Sequence, residues 1–513
     1  MHFRILLGIV LSTVAVASAQ TTNSPGNIKP LSLHDCINLA LTHNLDLRIE
    51  HATMDIAGDM LTGAYGAYDP IFSFGATRNF VSDPGDFDTR KFNPYLPSEI
   101  NQGKIGPDIS GSLPIGFSYD FSGKIVKTSA VTDFTSNPKD AAFFPDGVRR
   151  TNDYDAEVGL SMRQHLLKDS WIDSDREVLQ TRRTDLKISQ QALRFQVMTT
   201  LLAVELAYDD LIDAREEIRV QENAVNLRHQ FVGETQRRVQ VGELPPLEDA
   251  QAQSQFQDAV TALAQAHELF TSRQNILVGL LTDNFKDWAD AEVQATDPLV
   301  AVPEEFNRSR SFQAALTNRP DLVEARMSVQ KAGVMVKFRL NQLYPSFDLV
   351  GGYGGLGSEP HSGGASLNDA FSFGNPEYSY GAVVSFPLAN AAARGNYKAS
   401  KASRQIAELQ LQKAEQQVLL QVADYVNRAG SSFSQVGSTH QARVYAEQAL
   451  DAETKKFQNG LATSFEVLQF QEILTSAQTA EIRAKVAYNK AQAQLAFGEG
   501  STMERHHLSL GGK

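Results

Sequence analysis

From Tyr154 to Arg163 apolar and polar residues alternate without interruption: Tyr154, Ala156, Val158, Leu160 and Met162 against Asp155, Glu157, Gly159, Ser161 and Arg163. A period of two predicts a strand with one apolar face. Two later segments share the pattern, with Phe347, Leu349 and Tyr353 on one face of 345–354 and Tyr378, Tyr380, Ala382, Val384 and Phe386 on one face of the other. Their opposite faces carry Ser, Gly and Asp. Residues 70–77 predict a fourth strand. Strands of about ten residues, aromatic on one side and polar or glycine on the other, suit a barrel wall with lipid outside and water inside. A half-buried sheet of a soluble protein has the same signature.

Elsewhere the period is helical. Residues 31–65 read as one helix. From Asp175 to Val241 there is no proline and one glycine, and Val197, Val204, Leu211, Ile218, Val225, Val232 and Val239 recur every seven residues. That stripe predicts a coiled-coil helix of roughly 100 Å at about 1.5 Å per residue. Gly242 ends it, Pro245-Pro246 opens the next helix, and the return runs to about Leu281. A second set follows: residues 390–458, a break at Asn459-Gly460, then Val467, Phe470, Leu474, Ala477, Ala484, Tyr488, Ala491 and Leu495 at three-four spacing. These are antiparallel coiled-coil hairpins. Their surplus apolar stripes predict lateral packing against neighbours. Between Asn79 and Asn152 lies a long Gly, Pro and Asp-rich stretch in which Ile115, Phe117, Tyr119 and Phe121 alternate with Gly116, Ser118, Asp120 and Ser122. It predicts an extra strand or hairpin, within a wall or above it. Its aspartates match no EF-hand spacing, so a solvated loop is the stronger reading there than a calcium site.

The order of elements occurs twice. Ala40-Leu-Thr-His-Asn-Leu-Asp-Leu47 matches Ala315-Leu-Thr-Asn-Arg-Pro-Asp-Leu322 at an offset of 275, and Arg237-Arg-Val-Gln-Val-Gly242 echoes Lys455-Lys-Phe-Gln-Asn-Gly460. So long a period predicts duplication of a large unit rather than a solenoid. The expected division is a first repeat at 20–303, a second at 304–498 and a flexible tail at 499–513.

The chain opens with Arg4, an apolar run from Ile5 to Ala17 and Ala17-Ser-Ala19, which predicts a signal peptide over 1–19 and export. Nothing later is apolar for long enough to make a spanning helix. The net charge of −13 disfavours a nucleic-acid partner. A single cysteine, Cys36, excludes an intrachain disulfide and a cysteine-based metal cluster. His34, Asp35 and Cys36 resemble a ligand cluster, but His43 and His51 share no helix face with them, so a structural role at the helix start is expected. No phosphate loop, nucleophile elbow, zinc-protease or dinucleotide motif is present; neither enzymatic activity nor a metal or cofactor is expected.

The duplication, the strand pairs and the long hairpins, together with Asn318-Arg-Pro-Asp-Leu322 leading to Leu343-Tyr-Pro-Ser-Phe347 and Lys456-Phe-Gln-Asn-Gly-Leu461 leading to Phe465-Glu-Val-Leu468, resemble the TolC-like outer-membrane factor family. The resemblance spans Leu31 to about Gly498. It implies a mostly α chain with a membrane β part: a homotrimer whose protomers give four strands each to a 12-stranded β-barrel, continued by a 12-helix α-barrel through the periplasm. The segment 283–303 would belong to an equatorial belt. The implied function is a passive exit duct in the Gram-negative outer membrane, serving a tripartite efflux or type I secretion system with a periplasmic adaptor (membrane fusion protein) and an inner-membrane pump. A periplasmic coiled-coil scaffold or adaptor without a barrel is the alternative.

The family's tunnel closes near the hairpin turns, where carboxylates line the aperture. Carried over, that position is Glu466 in the second repeat and Glu248 in the first, each six residues past its tip glycine. Three Glu466 carboxylates about 6 Å apart would repel by roughly 3 kcal/mol per pair at an effective dielectric near 20. Both are otherwise ordinary solvated helix glutamates. Where relatives can carry a second carboxylate and a basic latch, this chain has Gln469 and Ala462. The tips themselves, Gly242 and Gly460 with Lys456, Phe457 and Leu461, are the implied docking surface for adaptor or pump.

Overall fold

The computed structural model describes residues 27–85, 87–88, 93–94, 97–135, 143–144, 146–289 and 291–508; the expected signal peptide lies outside them. Two compact units cut across the sequence halves. One comprises residues up to Leu45, Thr199–Phe306 and Asn427–Leu495, the other Asp46–Met198, Asn307–Val426 and residues from Ala496.

In the first unit, β1 (Asn27–Leu31) precedes α1 (Leu33–His43). The single helix expected over 31–65 is interrupted at Asn44, whose backbone is extended at ψ 127° and whose side-chain amide donates to the Leu280 carbonyl at 3.1 Å; α2 (Leu45–Tyr65) then follows. At the matching place in the second half, Arg319 precedes Pro320, and a residue before proline is driven out of the helical region. There α5 (Arg308–Asn318) gives way to α6 (Pro320–Asn341). The long helices also match in length: α3 (Ser174–Gln240) has 67 residues and α8 (Ala391–Gln458) 68, while α4 (Pro246–Leu281) and α9 (Ser464–Glu499) have 36 each. The segment 283–303 supplies β8 (Ala291–Ala295), which pairs in parallel with β1. The heptad stripe of α3 stays buried through Val197, Val204 and Leu211, after which full burial passes to Val220, Ala224 and Phe231. A straight helix drifts against a seven-residue repeat, and the seam moves with it.

The second unit holds a mixed-length antiparallel sheet. Its strands are β2 (Ile71–Asp83), β5 (Ser98–Leu113), β6 (Phe117–Asp133), β7 (Val148–His165), β9 (Ser346–Glu359) and β10 (Pro376–Ser385), in spatial order β10-β9-β7-β6-β5-β2. A short pair, β3 (Phe87–Asp88) and β4 (Asn93–Pro94), lies in the β2–β5 connection. Four strands per chain were expected; among the described residues the sheet has six. The difference is the 79–152 stretch, which enters the sheet between β2 and β7. Its β5 escapes a pattern search because Gly103, Gly106, Pro107 and Gly111 interrupt the isoleucines, and the β5–β6 ladder skips Gly106 and Pro107, where proline has no N–H to give.

The two faces of this sheet stay separate across all six strands. One row of partners reads Phe72, Ile109, Phe121, Leu160, Tyr353 and Tyr378; the neighbouring row on the other face reads Ser73, Asp108, Ser122, Gly159, Gly354 and Glu377. A hollow of about 590 Å³ opens on the polar side, touched by Ile71, Ser110, Asp120, Arg163, Gly352 and Ser379, one from each strand. The sheet therefore curves around its polar face. At the far end of β9, helix α7 (Gly363–Ser372) folds back over the apolar face and buries Ala370 against Ala156 and Val158. That approach requires Gly355 and Gly357, where a Cβ would overlap the carbonyl oxygens of Ala370 and Ser366. The expected loose tail is ordered through residue 508: the chain turns at Gly500 (φ 79°) into α10 (Thr502–Arg505), with Thr502 and Met503 buried.

The α8–α9 pairing contains one charged centre. Glu481, nearly buried, accepts from Arg443 at 2.5 Å, Lys485 at 2.8 Å and His440 at 3.1 Å. Burial alone would raise its carboxyl, but hydrogen bonds from Lys485, His440 and Arg443 and the Lys485 charge outweigh it and hold the value at about 2. A depressed folded-state value adds stability that is complete above the ordinary glutamate value and is lost as pH falls through the folded one. Glu481→Gln is expected to cost roughly 3 kcal/mol at pH 7, with the deficit in thermal unfolding shrinking as the pH falls from 4.5 toward 2. A deficit that stays constant over that window contradicts the assignment.

Candidate functional site at the hairpin ends

Both hairpin tips are built by one local device. At the first, Gly242 has φ 84°, its N–H bonds the Val239 carbonyl at 3.1 Å, and Glu243 N–H bonds the Arg238 carbonyl at 2.9 Å. At the second, Gly460 has φ 75°, its N–H bonds Phe457 at 3.0 Å, and Leu461 N–H bonds Lys456 at 2.9 Å. These are paired Schellman closures, which require a left-handed residue and so favour glycine. A Cβ would meet nothing within 4 Å at either glycine, so only the backbone conformation selects it.

The return helices begin differently. Thr463 caps α9: its backbone N–H donates to Glu466 Oε2 at 2.7 Å, its hydroxyl to the same oxygen at 3.0 Å, and Glu466 N–H donates back to the hydroxyl at 3.3 Å. This is a capping box. The backbone N–H and hydroxyl of Thr463 hold the exposed Glu466 carboxyl below its usual range, so it is charged at neutral pH. In the first hairpin the cap position is Pro245, which has no hydroxyl. Glu248 has no such partner, and its Oε2 is buried without a hydrogen bond among the described residues.

Of the expected docking residues, Phe457 is not available. It is 2% exposed, packed with Phe231, Ala252, Val467 and Leu468, its ring 5.3 Å from Phe231 and beneath the Arg238 guanidinium at 4.5 Å. Arg238 also donates to the Phe457 carbonyl at 3.1 Å. Phe457 therefore locks the two hairpins together, and a partner cannot reach it. Lys456 remains on the surface, paired with Glu453 at 2.9 Å. Leu461 is 79% exposed and is joined by exposed Val241, Leu247 and Phe465, which sequence reasoning passed over. Their signal was present: each is a large apolar residue outside the buried stripe and within five residues of a tip glycine. Farther along, Arg228 is buried and bridges the hairpins, donating to the Gln255 carbonyl at 3.1 Å and to Glu472 at 2.5 Å.

The His34–Asp35–Cys36 cluster dissolves into structural parts. Asp35 completes a capping box with Ser32, and Cys36 is wholly buried, its thiol pushed up to about 12 by desolvation and the nearby Asp35 and Asp297 carboxylates. Among the described residues, no helix is long and apolar enough to cross a membrane.

Comparison with known proteins bears on the whole arrangement. Residues 312–500 match the family model of the outer membrane efflux protein. The outer membrane efflux protein BepC of Brucella suis biovar 1 (strain 1330) is 24% identical over 340 residues, or 64% of this chain and 68% of BepC. The outer membrane protein VceC of Vibrio cholerae superposes with a TM-score of 0.63 at 19% identity, covering 91% of this chain and 96% of that one. The CmeC outer membrane channel of Campylobacter jejuni gives 0.64 at 14% identity over 99% and 98%. At such identities the structural likeness is one of fold. The segment matched to the outer membrane efflux family contains the second tip with Lys456, Gly460, Leu461 and Glu466; Gly242 and Glu248 precede it.

Truncating the lock and truncating the surface should differ sharply. Phe457→Ala is expected to cost about 3–5 kcal/mol in unfolding of the detergent-solubilised protein, whereas Leu461→Ser should stay within about 0.5 kcal/mol. Equal effects would contradict the division into lock and surface.

Proposed function

We propose that copies of this chain close a β-barrel in the outer membrane and that their helical hairpins continue the passage into the periplasm, so that a homotrimer forms the passive exit duct of a tripartite efflux or type I secretion assembly. The observation that carries this reading is the two-faced sheet with both edges open. Phe72, Tyr353 and Tyr378 are more than half exposed on the apolar face, while the concave face is lined with serine, glycine and charge. Such a surface is a liability in water and a fit to lipid. The relatives named above are called outer-membrane and efflux proteins, which agrees.

The exposed apolar residues at the tips are assigned to docking of a periplasmic adaptor or the inner-membrane pump. Glu466, charged and directed by its capping box, is assigned to the aperture, where three copies would gather negative charge and attract cations. Fractionation separates the reading from a peripheral scaffold: the protein should stay with outer membranes through high-salt and carbonate washes and come off only in detergent, and release by salt would overturn it.

Glu466→Gln separates the two roles of that residue. Glutamine still accepts from Thr463 but carries no charge, so helix stability should hold within about 0.5 kcal/mol while divalent-cation block of single-channel current in planar bilayers falls. Unchanged block with unchanged stability would leave Glu466 as a cap alone.

A further inference from the structure

The hairpin of β5 and β6 sits inside the sheet, with β2 on one side and β7 on the other. We propose that this hairpin is part of the membrane wall, so that three copies close a barrel of eighteen strands and open a correspondingly wider pore. The proposal rests on the trimeric barrel proposed above and specifies its wall.

Three features of the hairpin support wall membership. First, it continues both faces without a slip: Ile109 and Phe121 fall in the apolar row, Asp108 and Ser122 in the polar one. A one-residue shift would have exchanged the faces. Second, its apolar stretch has the height of a bilayer core. On β5 it runs from Ile105 to Leu113 and on β6 from Phe117 to Ile125; nine residues at about 3.3 Å each, tilted about 40°, rise roughly 23 Å. Beyond that level the same face turns polar, with Asn101 and Glu99 on one strand and Lys127 and Ser129 on the other. Third, a hairpin standing above the membrane would leave Ile105, Ile109 and Phe121 in water at 38–45% exposure in the single chain.

Strand direction permits closure. The six strands alternate, so β2 and β10 at the two edges run antiparallel. The free edge of β10 can therefore take β2 of the next copy in the same antiparallel sense, and repeating that contact makes a ring. Barrel diameter grows about linearly with strand number, so eighteen strands give roughly 1.5 times the diameter and 2.2 times the cross-section of twelve. The membrane end would then be a poor sieve, and selection would fall to the helical end.

The test uses the full-length protein in liposomes with single cysteines carrying nitroxide labels, at positions 105, 108, 109, 121 and 122 in the hairpin and at 350, 353, 379 and 380 as reference strands. Cys36 is wholly buried and does not compete for label. Accessibility to oxygen should dominate on the apolar face and accessibility to a nickel chelate on the polar face, alternating residue by residue in both sets. Alternation in the reference strands with uniform chelate access in β5 and β6 overturns the proposal and leaves the barrel standing. Uniform chelate access in both sets removes the barrel and the proposal with it. A cryo-microscopy map of the unsubstituted oligomer should count eighteen strands with threefold symmetry; twelve, from three chains or from two, overturns the count.

Discussion

An open sheet edge cannot lie in hydrocarbon, because its N–H and C=O groups have no water to bond. In the proposed barrel that constraint governs the rest of the structure. The sheet of one chain ends in β2 and β10, both exposed along their lengths, and its aromatic face is bare at Phe72, Tyr353 and Tyr378. Sequestering the face calls for lipid; satisfying the edges calls for another copy of the chain. A single copy can do neither, so insertion and association are one event in this account. In the proposed barrel the same constraint accounts for the polar side being the concave one: closure would turn Ser73, Asp108 and Ser122 toward water and Phe72, Ile109 and Phe121 away from it.

The hairpin ends follow a different physics. Local capping decides the geometry there. Both turns close through a left-handed glycine, yet only the second return helix has a hydroxyl at its cap. Thr463 consequently fixes Glu466 and holds its carboxyl below the usual range, whereas Pro245 leaves Glu248 without an equivalent partner. The two hairpins thus differ at the residue assigned above to the aperture. The lock behind the tips is apolar, centred on Phe457, and leaves Leu461, Val241, Leu247 and Phe465 outward as the apolar surface on which a partner of similar character could bury area.

Much of this was legible in the residues. The long helices were readable because proline is absent and valine or leucine recurs every seven positions, and their ends because Gly242, Gly460 and Pro245-Pro246 punctuate them. The middle of β7 was readable from strict alternation between Tyr154 and Arg163, while its start at Val148 was not. Three things were not. The break at Asn44 depends on a side-chain bond to Leu280, 236 residues away in sequence. β5 lacks a clean period because glycines and Pro107 interrupt it, and only pairing with β2 and β6 defines it. Phe457 lies beside exposed lysines in sequence, and nothing local tells that Phe231 and Arg238 enclose it.

The central claim is that β10 of one copy pairs with β2 of the next. Oxidative cross-linking tests it most directly, using chains with one cysteine on each of these two strands, scanned over successive positions because neither strand alone sets the register between copies. The account predicts that some pairs yield covalent oligomers up to a closed trimer in non-reducing denaturing gels. Chains that remain monomeric at every register, in membranes that hold the protein, would contradict it.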